Sequence, residues 1–151
     1  MLKIERTVTI NAPVEKVFEY ACDPINVPEF WPSLIKVEDV KRLPSGGYSF
    51  KYTFKMAGMH LTGTAENLEY VPNKRIVLKV KAGIDATITW KFEPLDGKTR
   101  LIHDAEYVIP AALLGKLAEP FIAKVNEHDA ESMLANLKAR MEVGVPVSLS
   151  R

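Results

Sequence analysis

Alternation of apolar and polar residues predicts seven β-strands along the chain. The clearest case is Tyr48–Met56, where every second residue is an aromatic residue or methionine and the residues between are serine, threonine or lysine. A strand of this kind turns one face to a core and the other to water. The predicted strands are Lys3–Ile10, Leu34–Leu43, Tyr48–Met56, Met59–Tyr70, Arg75–Lys81, Ile84–Glu93 and Lys98–Ile109.

Two short helices are predicted between the first strand and the second. Val14–Ala21 has apolar residues at helical spacing and follows an asparagine cap and a first-turn proline. Ile25–Phe30 follows Asp23-Pro24 and ends before Trp31-Pro32. Short turns join the remaining six strands, so we expect them to form an antiparallel meander.

The C-terminal segment Ala111–Glu142 is rich in alanine, leucine, lysine and glutamate, which favour helix. We expect one long helix, and two helices with a break at Glu119-Pro120 are an equally good interpretation, because proline interrupts helical hydrogen bonding. The apolar face of this segment changes phase, which would suit a bent helix whose two halves face different environments, as covering an open cavity requires. The first face is Leu114, Leu117, Ala118, Phe121, Ile122 and Val125, and the second is Ala130, Leu134, Leu137 and Met141.

Composition narrows the class of protein. The chain has 151 residues, 47% hydrophobic and 26% charged, with a formal net charge of +1, which is typical of one globular domain covering residues 1–151. No basic stripe is present, so we do not expect a nucleic-acid partner. No apolar run reaches the ~20 residues that span a bilayer, and no secretory leader precedes the first strand, so we expect no stable membrane insertion and a cytoplasmic location.

Two stretches of the sequence carry a resemblance to a known family. NAPVEKVFEYACDPINVPEFWPS follows the first strand and LANLKARME ends the last helix. With this order of elements, the chain resembles the START-like superfamily (SRPBCC, Bet v 1-like, helix-grip), and within it the single-domain polyketide cyclase/dehydrase-like branch. The resemblance implies an α+β fold in which a curved seven-stranded antiparallel sheet grips the long C-terminal helix, with a cavity between them. It does not imply one activity.

His103 and Tyr107 are the candidate catalytic residues, because both belong to the predicted inner face of the last strand and a histidine and a tyrosine there can hold a polar ligand or move a proton. His60 is a weaker candidate. His128, with Glu127, Asp129 and Glu131, is more typical of a solvated helix face than of a metal site. Cys22 is interpreted as a small buried side chain. No metal-binding or phosphate-binding motif is present, so we expect no metal and no cofactor.

Aromatic residues at the predicted inner face suit a pocket for a mostly hydrophobic molecule and a filled aromatic core equally well, and the START-like resemblance favours the pocket. The first hypothesis is therefore a binding protein that transports, senses or sequesters a hydrophobic or amphipathic small molecule such as a lipid, polyketide or isoprenoid. The alternatives are a cyclase or dehydrase that uses His103 and Tyr107, and an interaction protein with a vestigial cavity. The predicted ligand-binding residues are Phe30, Trp31, Phe50, Tyr52, Phe54, Trp90, His103, Tyr107, Leu117, Phe121 and Val125.

Overall fold

A computed structural model describes residues 1–144 and confirms the predicted order of the seven strands and the two short helices. The strands are β1 (Leu2–Ile10), β2 (Leu34–Arg42), β3 (Tyr48–Met56), β4 (Met59–Val71), β5 (Arg75–Ala82), β6 (Asp85–Leu95) and β7 (Lys98–Val108). The helices are α1 (Val14–Ala21), α2 (Val27–Phe30), α3 (Ala111–Leu114) and α4 (Glu119–Gly144). The second short helix begins two residues later than predicted, and the predicted strand ends shift by one or two residues.

The seven strands form one antiparallel sheet in the order β1-β7-β6-β5-β4-β3-β2. Strands β2 to β7 are consecutive hairpins, and β1 pairs with β7 at the end of the series. The predicted inner faces are confirmed: on β7 the alternate residues from Thr99 to Tyr107 are all buried. Trp90 on β6 lies directly opposite His103 on β7.

A glycine in β4 allows three strands to approach closely near one end of the sheet. A Cβ atom added at Gly63 would lie 2.1 Å from the Lys81 carbonyl oxygen and 2.7 Å from the Tyr52 hydroxyl. Tyr52 is the register partner of Gly63, so the tyrosine side chain crosses the space that a β4 side chain would fill. Only glycine leaves that space free.

The prediction of one helix from Ala111 to Glu142 is wrong, because the chain leaves helical conformation between α3 and α4. Gly115 follows α3 directly, and Pro120 is the second residue of α4, where its missing N–H costs nothing. The proline therefore begins a helix instead of bending one, as in the alternative interpretation of two helices.

The predicted change of phase along this helix is also wrong. One continuous stripe of α4 is buried, at the spacing of a single helix face: Ile122, Asn126, Ala130, Met133, Leu134 and Leu137. Phe121 is 55% exposed and Leu114 is 45% exposed. The second predicted face is confirmed for Ala130, Leu134 and Leu137.

The helices are fixed over the concave face by polar contacts at their ends. Arg140 of α4 donates to the Tyr20 hydroxyl and to Glu29, which also accepts from Tyr20. Glu142 accepts from the Asn11 backbone N–H and from Lys138. Apolar side chains of α1, α2 and the second half of α4 pack with those of β6 and β7 into a dense cluster. A second cluster lies under the first half of α4.

Candidate functional site

A cavity separates the concave face of the sheet from α4. The cavity volume within which the centre of a water-sized sphere can move is about 150 Å³. This is roughly ten times the volume, by the same measure, that holds one water molecule. Most of the lining side chains are apolar and come from all seven strands, from α4 and from the α1–α2 region. They are Ile4, Ala21, Cys22, Pro24, Val27, Trp31, Leu34, Phe50, Tyr52, Phe54, Met56, Ala65, Asn67, Ile76, Leu78, Val80, Ile84, Ala86, Ile88, Trp90, His103, Ala105, Tyr107, Asn126, Asp129 and Ala130.

Most of the predicted ligand-binding residues lie together in this wall, and four lie elsewhere. Those that line the cavity are Trp31, Phe50, Tyr52, Phe54, Trp90, His103 and Tyr107. Phe30 is fully buried behind the wall, with its ring centroid 6.3 Å from that of Trp90. Phe121 and Val125 do not line the cavity because α4 turns Ile122 and Asn126 inward instead. Leu117 precedes α4 and packs, partly buried, against the second core cluster.

His103 is held in the cavity wall by a hydrogen bond from a neighbouring strand. The Trp90 indole Nε1–H donates to His103 Nδ1 at 2.8 Å, and the Trp31 ring packs edge-on against the imidazole, 5.9 Å between centroids. Only 1% of His103 is exposed. Burial, with a smaller contribution from the Arg6 guanidinium, lowers the pKa of His103 to about 4. The imidazole is therefore neutral at physiological pH.

Tyr107 has a polar partner that the sequence analysis missed. Asn126 Nδ2 donates to the Tyr107 hydroxyl oxygen at 3.0 Å, and both residues are buried in the cavity wall. Burial raises the pKa of Tyr107, and the hydrogen bond from Asn126 partly offsets this rise. The sequence feature that indicates a buried Asn126 is its position in the apolar stripe of a helix, four residues after Ile122 and four residues before Ala130.

Trp31 connects the segment between α2 and β2 to α4. Its indole Nε1–H donates to Asp129 Oδ2 at 2.7 Å, and the Ser33 hydroxyl donates to the other carboxylate oxygen. The Trp31 ring also packs edge-on against Phe54, 5.7 Å between centroids. Because both oxygens of Asp129 are engaged, this carboxylate fixes one side of the cavity wall.

The remaining candidates of the sequence analysis are placed as follows. Cys22 lines the cavity next to α1, and burial raises the pKa of its thiol well above the ordinary value. His60 and His128 are exposed on the surface. Within residues 1–144, no three His, Cys, Asp or Glu side chains are close enough to hold a metal ion. No helix in that range is long and apolar enough to cross a bilayer.

Comparisons with solved structures identify the fold. A protein from Thermus thermophilus superposes with a TM-score of 0.81 at 20% identity, covering 95% of this chain and 99% of its own. The Zhui aromatase/cyclase from a Streptomyces species gives 0.77 at 21% identity, with 95% of each chain covered. A START superfamily protein from Mycobacterium smegmatis gives 0.79 at 16% identity, covering 93% of this chain and 97% of its own.

Sequence comparison gives the family. No curated protein matches the chain. The model of the family described as polyketide cyclase / dehydrase and lipid transport matches residues 1–142. This match covers almost the whole chain and agrees with the helix-grip fold, so the START-like resemblance seen in the sequence is confirmed. The chain belongs to the polyketide cyclase / dehydrase and lipid transport family.

Proposed function

We propose that the protein binds an uncharged, mostly apolar small molecule in the cavity between sheet and α4, and that it carries, senses or sequesters this molecule. The observation that supports this proposal is the cavity itself. Its wall is apolar except at a few points, and no lysine or arginine of residues 1–144 lines it. An apolar wall with a few fixed polar atoms is typical of small-molecule sites.

The hydrogen bonds in the wall favour binding over acid–base catalysis. A general base needs a free lone pair and a pKa near the working pH. The Nδ1 lone pair of His103 already accepts from Trp90, and the pKa of His103 lies at about 4. The pKa of Tyr107 is raised, so the phenol stays protonated. The cyclase or dehydrase alternative therefore needs a different proton acceptor from the two residues that the sequence analysis chose.

A cavity-filling substitution tests the proposal. Ala86 lines the cavity on β6, and Thr87, the next residue, points to the opposite side of the sheet. Phe at position 86 places a ring in the cavity, and Phe at position 87 places the same ring on the outer face. We expect Ala86→Phe to weaken binding of the neutral fluorophore phenylnaphthylamine at least tenfold, and Thr87→Phe to leave it unchanged.

Native mass spectrometry of protein purified from its own host supplies the second arm. A lipid, polyketide or isoprenoid released on denaturation from the wild type and absent from Ala86→Phe would support the proposal and name the ligand. Circular dichroism establishes that both variants are folded. If Ala86→Phe binds the fluorophore as the wild type does, the cavity is not the binding site and the proposal is wrong.

A further inference from the structure

The Trp90–His103 hydrogen bond decides which ring nitrogen of the histidine carries the proton. An indole N–H donates and has no lone pair to accept. His103 Nδ1, 2.8 Å from Trp90 Nε1, therefore carries the lone pair. A neutral imidazole with a bare Nδ1 has its proton on Nε2. Trp90 thus fixes one tautomer of His103.

The proton on Nε2 faces the cavity. His103 Nε2 makes no hydrogen bond to any other group of residues 1–144, and within that range no fully enclosed side-chain nitrogen or oxygen is without a partner. Nε2 therefore reaches open space. His103 is buried, and the open space that it borders is the cavity. The imidazole therefore donates one N–H, that of Nε2, into the cavity. It has no free acceptor, because its Nδ1 lone pair already accepts from Trp90.

We propose that His103 Nε2–H binds the carbonyl oxygen of an uncharged apolar ligand, and that Trp90 is the positioning residue that holds His103 in this donor form. The inference rests on the proposed function and names the chemical class of its ligand. A carbonyl oxygen accepts a hydrogen bond and brings no proton that itself needs a partner. A carboxylate would also accept, but within residues 1–144 no cation lines the cavity to balance its charge.

The first test measures the tautomer without any ligand. Nitrogen-15 NMR of the imidazole rings distinguishes Nδ1–H from Nε2–H, with the exposed His60 and His128 as internal references. We expect His103 to be in the Nε2–H form in the wild type, and Trp90→Phe, which removes the indole donor, to restore exchange between both forms. If wild-type His103 carries its proton on Nδ1, the inference is overturned whatever the protein binds.

The second test compares two probes of the same shape, acetylnaphthalene and isopropenylnaphthalene, in which C=O is replaced by C=CH₂. One net hydrogen bond contributes about 0.5–1.5 kcal/mol, so we expect the ketone to bind about two- to twelvefold more tightly in titration calorimetry. The double variant Trp90→Phe/His103→Phe removes donor and acceptor together, so no polar atom is orphaned, and the preference should fall to about one. The surface control His128→Gln should keep it.

The outcomes separate this inference from the proposed function. Equal binding of both probes to the wild type would overturn the carbonyl assignment and leave the binding function standing. Binding of neither probe would count against both. A ketone preference that survives in the double variant would place the donor elsewhere and also overturn the inference. If the double variant does not fold, the loss of preference in Trp90→Phe alone decides the role of Trp90.

Discussion

Tyr52 offers the sharpest test of how the sheet maintains the cavity. Its hydroxyl donates to the Lys81 carbonyl oxygen at 3.1 Å and accepts from the Ile84 backbone N–H at 2.8 Å. These two groups flank the turn between β5 and β6, and the ring reaches them across Gly63. Strand β3 pairs with neither β5 nor β6, because β4 lies between β3 and β5. The Tyr52 side chain therefore connects β3 to the β5–β6 turn across β4.

The cost of Tyr52→Phe follows from these two bonds. Phenylalanine keeps the ring and its packing, so the lost free energy comes from the hydroxyl alone. The Ile84 N–H is left buried without its partner, which costs about 1–3 kcal/mol, and the bond to Lys81 adds about 1 kcal/mol. We expect the free energy of unfolding to fall by about 2–4 kcal/mol, which for a chain of this length lowers Tm by about 5–15 °C.

Urea denaturation and thermal melting measure the effect, with Tyr48→Phe as the matched control. Tyr48 lies on the same face of β3, but the one partner of its hydroxyl among residues 1–144 is the exposed Arg42 Nη1, which donates to it at 3.1 Å. Loss of the Tyr48 hydroxyl in Tyr48→Phe should change the free energy of unfolding by less than about 0.5 kcal/mol. If both variants lose the same amount of stability, the Tyr52 bridge contributes nothing specific and the argument from the orphaned N–H is refuted.

Three further predictions concern neighbouring features. Gly63→Ala should cost about 3 kcal/mol or more in urea denaturation because its Cβ would lie 2.1 Å from the Lys81 carbonyl oxygen, whereas Gly115→Ala, with nothing nearer than 3.6 Å, should not destabilise. The pKa of His103 is about 4 in the folded chain against 6.5 unfolded, so the unfolded chain binds the extra proton. The contribution of His103 to stability should be complete above pH 6.5 and fall by about 3 kcal/mol as the pH drops to about 4. Urea denaturation across that pH range should show this loss of stability in the wild type and not in Trp90→Phe/His103→Phe. Cys22, whose thiol pKa is raised by burial, should react with a thiol reagent far more slowly in the folded than in the unfolded protein, and equal rates would contradict its burial.

The strands were predictable because each has one wet face and one apolar face. On β7 the alternation placed Thr99, Leu101, His103, Ala105 and Tyr107 on the inner side, and all of them are buried. A period of two residues assigns alternate residues to the two faces of the strand, so the one open question is which face is the inner one. The charged residues answer it, because they lie on the outer face. The predicted ligand-binding residues on the strands that line the cavity followed from the same rule: Phe50, Tyr52, Phe54, Trp90, His103 and Tyr107.

The C-terminal helix was less predictable because its local signals conflict. Alanine and leucine continue through Ala111–Leu117, so propensity alone favours unbroken helix. Gly115 and Pro120 instead allow the chain to change direction, and the start of α4 decides which residues face inward. Phe121 is the larger apolar side chain, yet Ile122 is fully buried and Phe121 is exposed. Which residue faces the sheet depends on tertiary packing, which a helical pattern does not contain.

The chemistry of the site was not predictable from residue types, because it depends on which hydrogen bonds those residues have already made. A histidine on an inner face suggests acid–base work, but Trp90 occupies Nδ1 and burial keeps the ring neutral. Such an imidazole orients or polarises an acceptor and does not take a proton, just as neutral histidine acts as an electrophile in some enzymes. The same contact would thus serve a carrier that grips a carbonyl group and an enzyme that activates one. An enzyme of this kind needs its base from the ligand, from water or from another residue, whereas a carrier needs nothing more than the contact itself.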